Sequence, residues 1–215
     1  MKVLVACEYS GRVREAFRKL GHNALSCDFE PTEIPGPHYQ GDVRDILYDG
    51  WDLMIAHPPC TFLTNAQAWT FYHPLDKHLE RHLRRPHPKY PDRRQQQKDA
   101  ISFFNLLYTA PIPKICLENP VMLGYCVEEI GPYAQTVQPN WFGEDASKRT
   151  CLWLKNLPAL VKTNHIIKKR YANQTPSGQN NLGPSPTRWK ERSRTYQGLA
   201  DAMAAQWGGE SRLLF

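Results

Sequence analysis

The chain has 215 residues, a length typical of one domain that can bury a sizeable core. Its apolar fraction of 41% and mean hydropathy of −0.58 indicate a folded globular protein and argue against a disordered one. No run approaches the roughly 18 consecutive apolar residues of a membrane-spanning helix. The apolar start is too short for a signal peptide, because Glu8 interrupts it. We therefore expect a cytoplasmic protein with no membrane partner.

Positive charge is concentrated in two segments, although the whole chain carries only a net +6. Residues 73–98 contain eight Lys and Arg against three acids, and residues 162–194 contain eight against one. The two segments are therefore net +5 and +7, and the rest of the chain is net −6. This distribution predicts contacts with phosphate groups, the alternative being two solvated basic loops. In or beside the segments lie four aromatic residues that could stack on nucleobases: Tyr72, Tyr90, Tyr171 and Trp189.

Apolar runs alternate with helical patterns along the chain. Residues 2–7 are almost continuously apolar, as in a strand buried on both faces. Apolar residues then recur at helical spacing from Val13 to Leu20, and Gly21 ends this helix. Further strands are predicted over 23–27, 52–56, 114–117, 134–138 and 150–154, and further helices over 93–110 and 199–207. The alternation predicts an α/β fold with a mostly parallel, doubly wound sheet and helices on both faces.

Polar or reactive residues follow several of the predicted strands, and ligands of such sheets bind at the carboxyl ends of the strands. The residues concerned are 8–11 (Glu-Tyr-Ser-Gly), Asp28, 57–60 (His-Pro-Pro-Cys) and 118–120 (Glu-Asn-Pro), and we expect Asp42 to join them. A helix following residues 8–11 offers free N–H groups to a carboxylate. Asp28 could accept a hydrogen bond from a ribose hydroxyl. A structural turn with a helix cap explains these two features equally well.

Cys60 directly follows Pro58 and Pro59. Proline fixes φ at about −65° and removes a backbone donor, so the pair orients the next side chain rigidly. A nucleophilic thiol must be partly thiolate, which requires nearby positive charge. The alternative is that Cys60 packs in a loop like the other five cysteines. Those we expect to be reduced, because the chain has no CxxC pair that would indicate zinc and no export signal that would favour disulfides.

Glu118 follows the apolar run 114–117, so its carboxylate emerges from the core at the edge of the sheet. A partly desolvated glutamate has a raised pKa and can donate or share a proton near neutral pH. Capping a turn or pairing with an arginine is the alternative. A thiolate and a protonatable carboxyl group at neighbouring strand ends suit conjugate addition to an electron-poor ring.

With these residues the sequence resembles the DNA cytosine C5-methyltransferases, specifically small phage- or prophage-type members. The shared blocks span most of the chain in the family's order, and Pro-Pro-Cys with a later Glu-Asn pair is their specific part. The blocks are 6–11 with Gly21, 27–28, 41–43, 58–60, 118–120, 142–154 and 198–207. The resemblance implies a Rossmann-like methyltransferase fold that uses S-adenosyl-L-methionine.

The resemblance also implies a mechanism. Cys60 would add to C6 of a cytosine flipped out of DNA while Glu118 hydrogen-bonds or protonates N3, which makes C5 nucleophilic. C5 would take the methyl group, a base would remove the C5 proton, and Cys60 would be eliminated. Asn119 would orient the Pro-Cys loop. Arg149 would face the base or the thiolate, although a surface arginine before a strand is the alternative. The implied cofactor-binding residues are Glu8, Tyr9, Ser10, Gly11, Asp28, Asp42 and Pro58.

By the same resemblance, residues 1–154 form the catalytic domain, with a basic insert over 70–98. Residues 155–194 form a reduced target-recognition segment, and 195–215 a C-terminal helix that returns to the catalytic domain. About 43 residues between Leu154 and Gly198 are few for direct readout of several base pairs. We therefore predict a very short target sequence, or a single-stranded or nucleotide substrate.

The residues leave three alternatives open. The same chemistry could act on a free deoxycytidine nucleotide, on single-stranded DNA or on RNA. The chain could be a catalytically degenerate nucleic-acid-binding protein, because its first loop lacks the family's aromatic-and-glycine pattern. The methyl donor could be a modified one that transfers a larger group.

His78 and His82 have the spacing of helical metal ligands, but we expect them to face solvent or phosphate and predict no metal site.

Overall fold

The computed structural model describes residues 1–209. Its seven strands are β1 Lys2–Ala6, β2 Asn23–Asp28, β3 His38–Gln40, β4 Leu53–Ala56, β5 Lys114–Asn119, β6 Gln135–Val137 and β7 Thr150–Lys155. Its α-helices are α1 Arg12–Lys19, α2 Arg93–Tyr108, α3 Gly124–Ile130, α4 Arg188–Ser193 and α5 Gln197–Trp207.

The strands form one sheet in the order β3-β2-β1-β4-β5-β7-β6. Neighbouring strands from β3 to β5 are parallel, whereas β7 is antiparallel to both β5 and β6. The predicted Rossmann-like α/β class, with a mostly parallel and doubly wound sheet, is therefore confirmed. The order is built outward from β1, which places the loops that follow β1, β4 and β5 beside one another at one edge.

Both faces of the sheet are covered by helices, which explains the apolar runs of the strands. Leu4 and Met54 pack with α2 and α3 on one face, and Val3 and Leu53 pack with α1 and α5 on the other. Successive strand side chains point to opposite faces, so each central strand must be apolar at every position. All four residues of β4 are fully buried.

Three elements do not correspond to a sequence prediction: β3, α3 and α4. The first is a three-residue edge strand in a proline- and glycine-rich stretch, and the helices have seven and six residues. Such short elements lack a full period of apolar residues, so contacts with the rest of the fold decide them. Two 3₁₀ helices lie in the basic insert, at Pro74–Asp76 and Arg81–Leu83, and a third, Asn65–Phe71, leads into it.

The C-terminal helix predicted within 195–215 is α5, which packs on α1 through Met203 and Trp207. Residues 210–215 of that segment lie outside the described residues. No helix among residues 1–209 is long and apolar enough to cross a membrane. The domain boundaries at 154 and 194 stay predictions.

Candidate active site

The register of the sheet aligns the strand ends. Ala6 pairs with Ala56, and Ala56 pairs with Leu117, across the three central parallel strands. The next residue of β4's loop, His57, donates its backbone N–H to the carbonyl of Ala6 at 3.0 Å. Glu118 stands in the same row on β5. The loops carrying Glu8, His57 and Glu118 therefore start side by side.

Buried polar atoms without hydrogen-bond partners are concentrated at this edge of the sheet. Within the described part of the chain, six buried side-chain nitrogen or oxygen atoms have no hydrogen-bond partner. Three of the six lie at these strand ends: Glu8 Oε2, His57 Nε2 and Asn119 Oδ1. Burying a polar atom without a partner is unfavourable, so such a concentration indicates groups that a ligand satisfies.

Asn119 connects β5 to the loop that carries the cysteine. It is 1% exposed, and its Nδ2 donates to the carbonyl of Pro58 at 2.8 Å. The carbonyl of Cys60 then accepts from the N–H groups of Leu63 and Thr64, which turns the chain back after the thiol. This is the contact that an orienting role for Asn119 requires, and the role itself stays a prediction.

The Cys60 thiol is partly exposed and faces charges of both signs. Burial raises its pKa, and the carboxylate of Glu118 acts in the same direction. The positive charges of Lys148 and Arg192 lower it by less. Cations face the thiol as a nucleophile requires, but in this arrangement they do not offset burial and the nearby carboxylate.

Glu118 is 8% exposed and held on several sides. His57 Nδ1 donates to its Oε2 at 2.8 Å, and Lys148 Nζ lies 4.0 Å from its Oε1. Burial alone would raise its pKa. The charge of Lys148 and the hydrogen bonds from His57 and Thr150 outweigh burial and hold the pKa at about 2. The sequence-based expectation of a raised pKa is therefore wrong, because it counted desolvation but not these three partners.

Lys148, and not Arg149, is the cation that lies against Glu118. Arg149 is exposed, and the role predicted for it, facing the base or the thiolate, stays a prediction. Sequence reasoning placed His57 among the polar residues at the strand ends but gave no role to it or to Lys148. His57 did carry a usable signal, because it is the first residue after an apolar strand and directly precedes Pro-Pro-Cys. Nothing in the sequence separates Lys148 from its neighbour.

The first loop folds around the start of α1. Glu8 is 4% exposed, and its Oε1 accepts from the Ser10 hydroxyl at 2.7 Å and from the Val13 N–H at 3.1 Å. Gly11 has φ +75°, and a Cβ there would lie 2.7 Å from the guanidinium of buried Arg14. Glycine is therefore required at this turn. One Glu8 oxygen accepts from the first turn of the helix, and the other has no hydrogen-bond partner.

Asp28 and Asp42 lie at the far side of the same edge. The backbone N–H of Gly41 donates to the carbonyl of Asp28 at 3.0 Å, which brings the two loops together. Asp28 is half-buried, and burial raises its pKa. Asp42 caps the turn Val43–Asp45, and hydrogen bonds from Arg44 lower its pKa. The Asp28 carboxylate accepts from the backbone N–H of Glu30 at 3.0 Å, whereas the Asp42 carboxylate is also held by the guanidinium of Arg44.

Helix α4 lies over the first loop. The Tyr9 hydroxyl donates to the carbonyl of Lys190 and lies 3.1 Å from the Ser193 hydroxyl. The Trp189 ring is 6.1 Å from the Tyr9 ring, and Lys190 Nζ is 2.6 Å from a carboxylate oxygen of Glu30. The segment predicted for target recognition therefore reaches back across the predicted cofactor loop.

Comparison with known proteins adds little beyond this geometry. No protein-family model matches the sequence. No curated protein matches it either. Among solved structures, the chain is similar to a prophage-encoded E. coli protein described as a "putative DNA modification methyltransferase". The identity is 14% and the TM-score 0.42, over 71% of this chain and 45% of the other.

Proposed function

We propose that the protein is an S-adenosyl-L-methionine-dependent methyltransferase that methylates C5 of cytosine in DNA. The observation that carries the proposal is the set of unpartnered buried atoms of Glu8, His57 and Asn119 at the strand ends that also carry Cys60 and Glu118. A nucleophile, a held carboxylate and an adjoining acidic cofactor loop are the parts that this chemistry needs. The strand order, with its one reversed strand, suits the fold that the sequence resemblance implies.

The residues at the strand ends fit the cofactor by charge. S-adenosyl-L-methionine carries a sulfonium and an ammonium group, and when bound it supplies the methyl group. The free Oε2 of Glu8 would accept from the ammonium group, near Ser10 and Gly11. Asp28 would bind the ribose hydroxyls and Asp42 the adenine. Tyr9 and Pro58 would contact the cofactor through their side chains. Hydrogen bonds to α4 and to Asn119 fix these two residues in place.

The chain's own groups would act on the base in sequence. Cys60 gives its proton to solvent and forms the S–C6 bond, and Lys148 and Arg192 favour the thiolate by their charge. The electron pair displaced from the ring goes to N3, which Glu118 hydrogen-bonds or protonates. C5 then takes the methyl group, and the demethylated donor would leave as a neutral thioether. After methylation a base removes the C5 proton, the C5=C6 bond re-forms and the S–C6 bond breaks. Asn119 keeps the Pro-Cys loop in place during both steps.

The decisive experiment is nucleoside analysis after reaction of the protein with methyl-labelled cofactor and DNA. We expect 5-methylcytosine, and we expect a covalent adduct with DNA that contains 5-fluorocytosine. Cys60→Ala should abolish both, because no other group can form the S–C6 bond. Cys126→Ala, which removes a buried thiol beside α2, is the matched control and should retain transfer. Absence of 5-methylcytosine on duplex and single-stranded DNA alike would refute the proposal.

One observation favours an acceptor other than duplex DNA. The second basic segment is tied to the acidic body through Lys190–Glu30 and Arg194–Glu33. These pairs hold α4 over the first loop, so this helix is not free to enter a groove and read base edges. Single-stranded DNA, RNA or a deoxycytidine nucleotide would then compete with duplex DNA as the methyl acceptor. Competition among the four acceptors in one labelling reaction separates these substrates.

A catalytically degenerate nucleic-acid-binding protein is the remaining alternative. Such a protein would bind DNA through residues 73–98 and 162–194 but would need no cofactor. Calorimetry with S-adenosyl-L-methionine distinguishes the two, because the proposed enzyme binds it and a mere binder gives no heat.

A further inference from the structure

We propose that His57 is a positioning residue for Glu118, and that the His57–Glu118 pair, rather than Glu118 alone, exchanges the proton with N3 of the cytosine. This inference rests on the proposed function and assigns a role to a residue that the sequence resemblance leaves without one.

The geometry joins the two side chains closely. His57 and Glu118 follow directly after the paired residues Ala56 and Leu117 of neighbouring parallel strands, so they stand opposite each other. The Nδ1···Oε2 distance is 2.8 Å, and the two side chains are only 8% and 9% exposed. Pro58 and Pro59 restrict the backbone that follows His57, and the Ala6 carbonyl holds its N–H. The imidazole is therefore fixed against the carboxylate.

The electrostatics explain why Glu118 needs this partner. Lys148 lies 4.0 Å from its other oxygen, and Thr150 also hydrogen-bonds to it, so the carboxylate is strongly favoured over the acid. A group in that state accepts hydrogen bonds but has no proton to give near neutral pH. Imidazole is the side chain that ordinarily changes charge in this range. The charged and titratable groups described around Glu118 are Lys148 from the approach to β7, Cys60 from the loop after β4, Cys116 from β5 and Cys151 from β7.

The proton balance of the step is simple. As the S–C6 bond forms, an electron pair moves to N3. The imidazolium Nδ1 passes its proton to the Glu118 carboxylate, and N3 takes that proton from the carboxyl group, so that His57 becomes neutral and Glu118 is again a carboxylate. When the S–C6 bond breaks, N3 returns the proton through Glu118 to His57. Nothing is oxidised or reduced, and the pair ends as it began.

The first test uses His57→Asn. The asparagine amide can reach the position of Nδ1 and donate to Glu118, but it carries no titrating proton in the neutral range. We expect kcat for methyl transfer to fall on the order of 10²-fold, the scale of general acid–base catalysis. KM for DNA should stay within about threefold, since binding contacts are retained. The pH–rate profile should lose one ionisation near neutral pH. His22→Asn, at a histidine directly before the amino end of β2 and away from the site, is the control and should keep the wild-type profile.

A second measurement does not depend on activity. The Nδ1 proton of His57 is followed by NMR in the wild type and in Glu118→Gln. Loss of the charged acceptor should weaken the hydrogen bond, so the Nδ1 proton should exchange faster with solvent in the variant. Unchanged exchange in Glu118→Gln, or a wild-type pH–rate profile in His57→Asn, would overturn the inference even if the wild type methylates cytosine. A protected Nδ1 proton in a wild type that transfers no methyl group would instead refute the proposed function.

Discussion

The two basic segments have similar compositions, but the structure uses their charge differently. In the second segment, residues 162–194, cations pair with acids elsewhere in the chain: Lys168 with Asp145 at 2.5 Å, and Lys190 and Arg194 with Glu30 and Glu33 at 2.6 Å. In the first segment, residues 73–98, the ion pairs Asp76–Arg85 and Glu80–His82 are internal. Charge in a sequence therefore identifies a polar surface but not its partner.

The aromatic residues show the same contrast. Beside the first segment, Trp69 is 62% exposed and lines a cleft of about 330 Å³ together with Tyr72 and Lys77. The Tyr72 ring lies 5.5 Å from the guanidinium of Arg84 and 4.9 Å from that of Arg94. In the second segment, Trp189 packs beside Tyr9 of the first loop. The first segment exposes aromatic rings and cations to solvent. The second segment packs over the predicted cofactor site.

Matched neutralisation of the segments gives the largest expected contrast. Lys77, Arg81 and Lys89 are exposed, and changing all three to Gln should weaken DNA binding by on the order of 10²-fold at low salt. The slope of log K against log salt should fall by about 0.7–0.9 for each phosphate that the variant no longer neutralises. The measurement is fluorescence anisotropy with labelled DNA at several salt concentrations.

The control removes the same charge from the second segment, as Lys168→Gln, Lys190→Gln and Arg194→Gln. Because those cations are already paired with acids, DNA affinity should fall much less, and cofactor affinity should fall instead. Equal reductions of DNA affinity in the two triple variants would show that the ion pairs open when DNA binds, and the distinction drawn between the segments would be wrong.

The sequence predicted those parts of the fold that follow from local apolar patterns. β1, β2, β4 and β5 are buried on both faces, so their composition alone marks them. Helices α1, α2 and α5 have enough turns to show a periodic face. Helix α4 could not be found this way, because the bond from Tyr9 to its backbone spans 181 positions of the chain.

The same distinction applies to the candidate site, whose location follows from local sequence patterns but whose charge state does not. The strand ends could be located because an apolar run stops where a polar residue begins. The charge state of Glu118 could not, because it depends on His57, 61 positions away, and on Lys148 across the sheet. Likewise, the pairing of Lys190 with Glu30 spans 160 positions, so summing charge over a segment could not reveal it. The sequence shows each residue type, but it does not show which distant residue will be its partner.

Removing the Tyr9 hydroxyl measures how much its hydrogen bond stabilises the packing of α4 on the first loop. Tyr9→Phe keeps the ring contact with Trp189 and removes the hydrogen bond to the Lys190 carbonyl. The cost should be about 1 kcal/mol, the net value of a neutral hydrogen bond. Hydrogen exchange of α4 amides should accelerate about fivefold, with the first segment unchanged. Tyr48→Phe, at a tyrosine that is 64% exposed, is the control. Unaltered exchange in α4 would mean that other contacts hold it.

The smallest expected effect is the pH dependence of the same attachment. A side-chain hydrogen bond from Arg194 lowers the pKa of Glu33 below its ordinary value of 4.5. A lowered folded-state pKa means that the pair stabilises α4 above that ordinary value, and that this contribution disappears as pH falls through the lowered one. Both side chains are 32% exposed, so solvent screening keeps the contribution below about 1 kcal/mol.

Hydrogen exchange of α4 between about pH 3 and pH 6 measures this contribution as the difference between wild type and Glu33→Gln. The difference should be present near the upper end of this range and vanish toward the lower end, because protonated Glu33 and the glutamine side chain of the variant are both neutral. Asp76→Asn breaks the internal pair of the first segment and should loosen residues around Arg85 while leaving α4 unchanged. If Asp76→Asn also accelerated hydrogen exchange in α4, the local stabilities of the two segments would be coupled. The separate roles assigned to the segments would then be wrong.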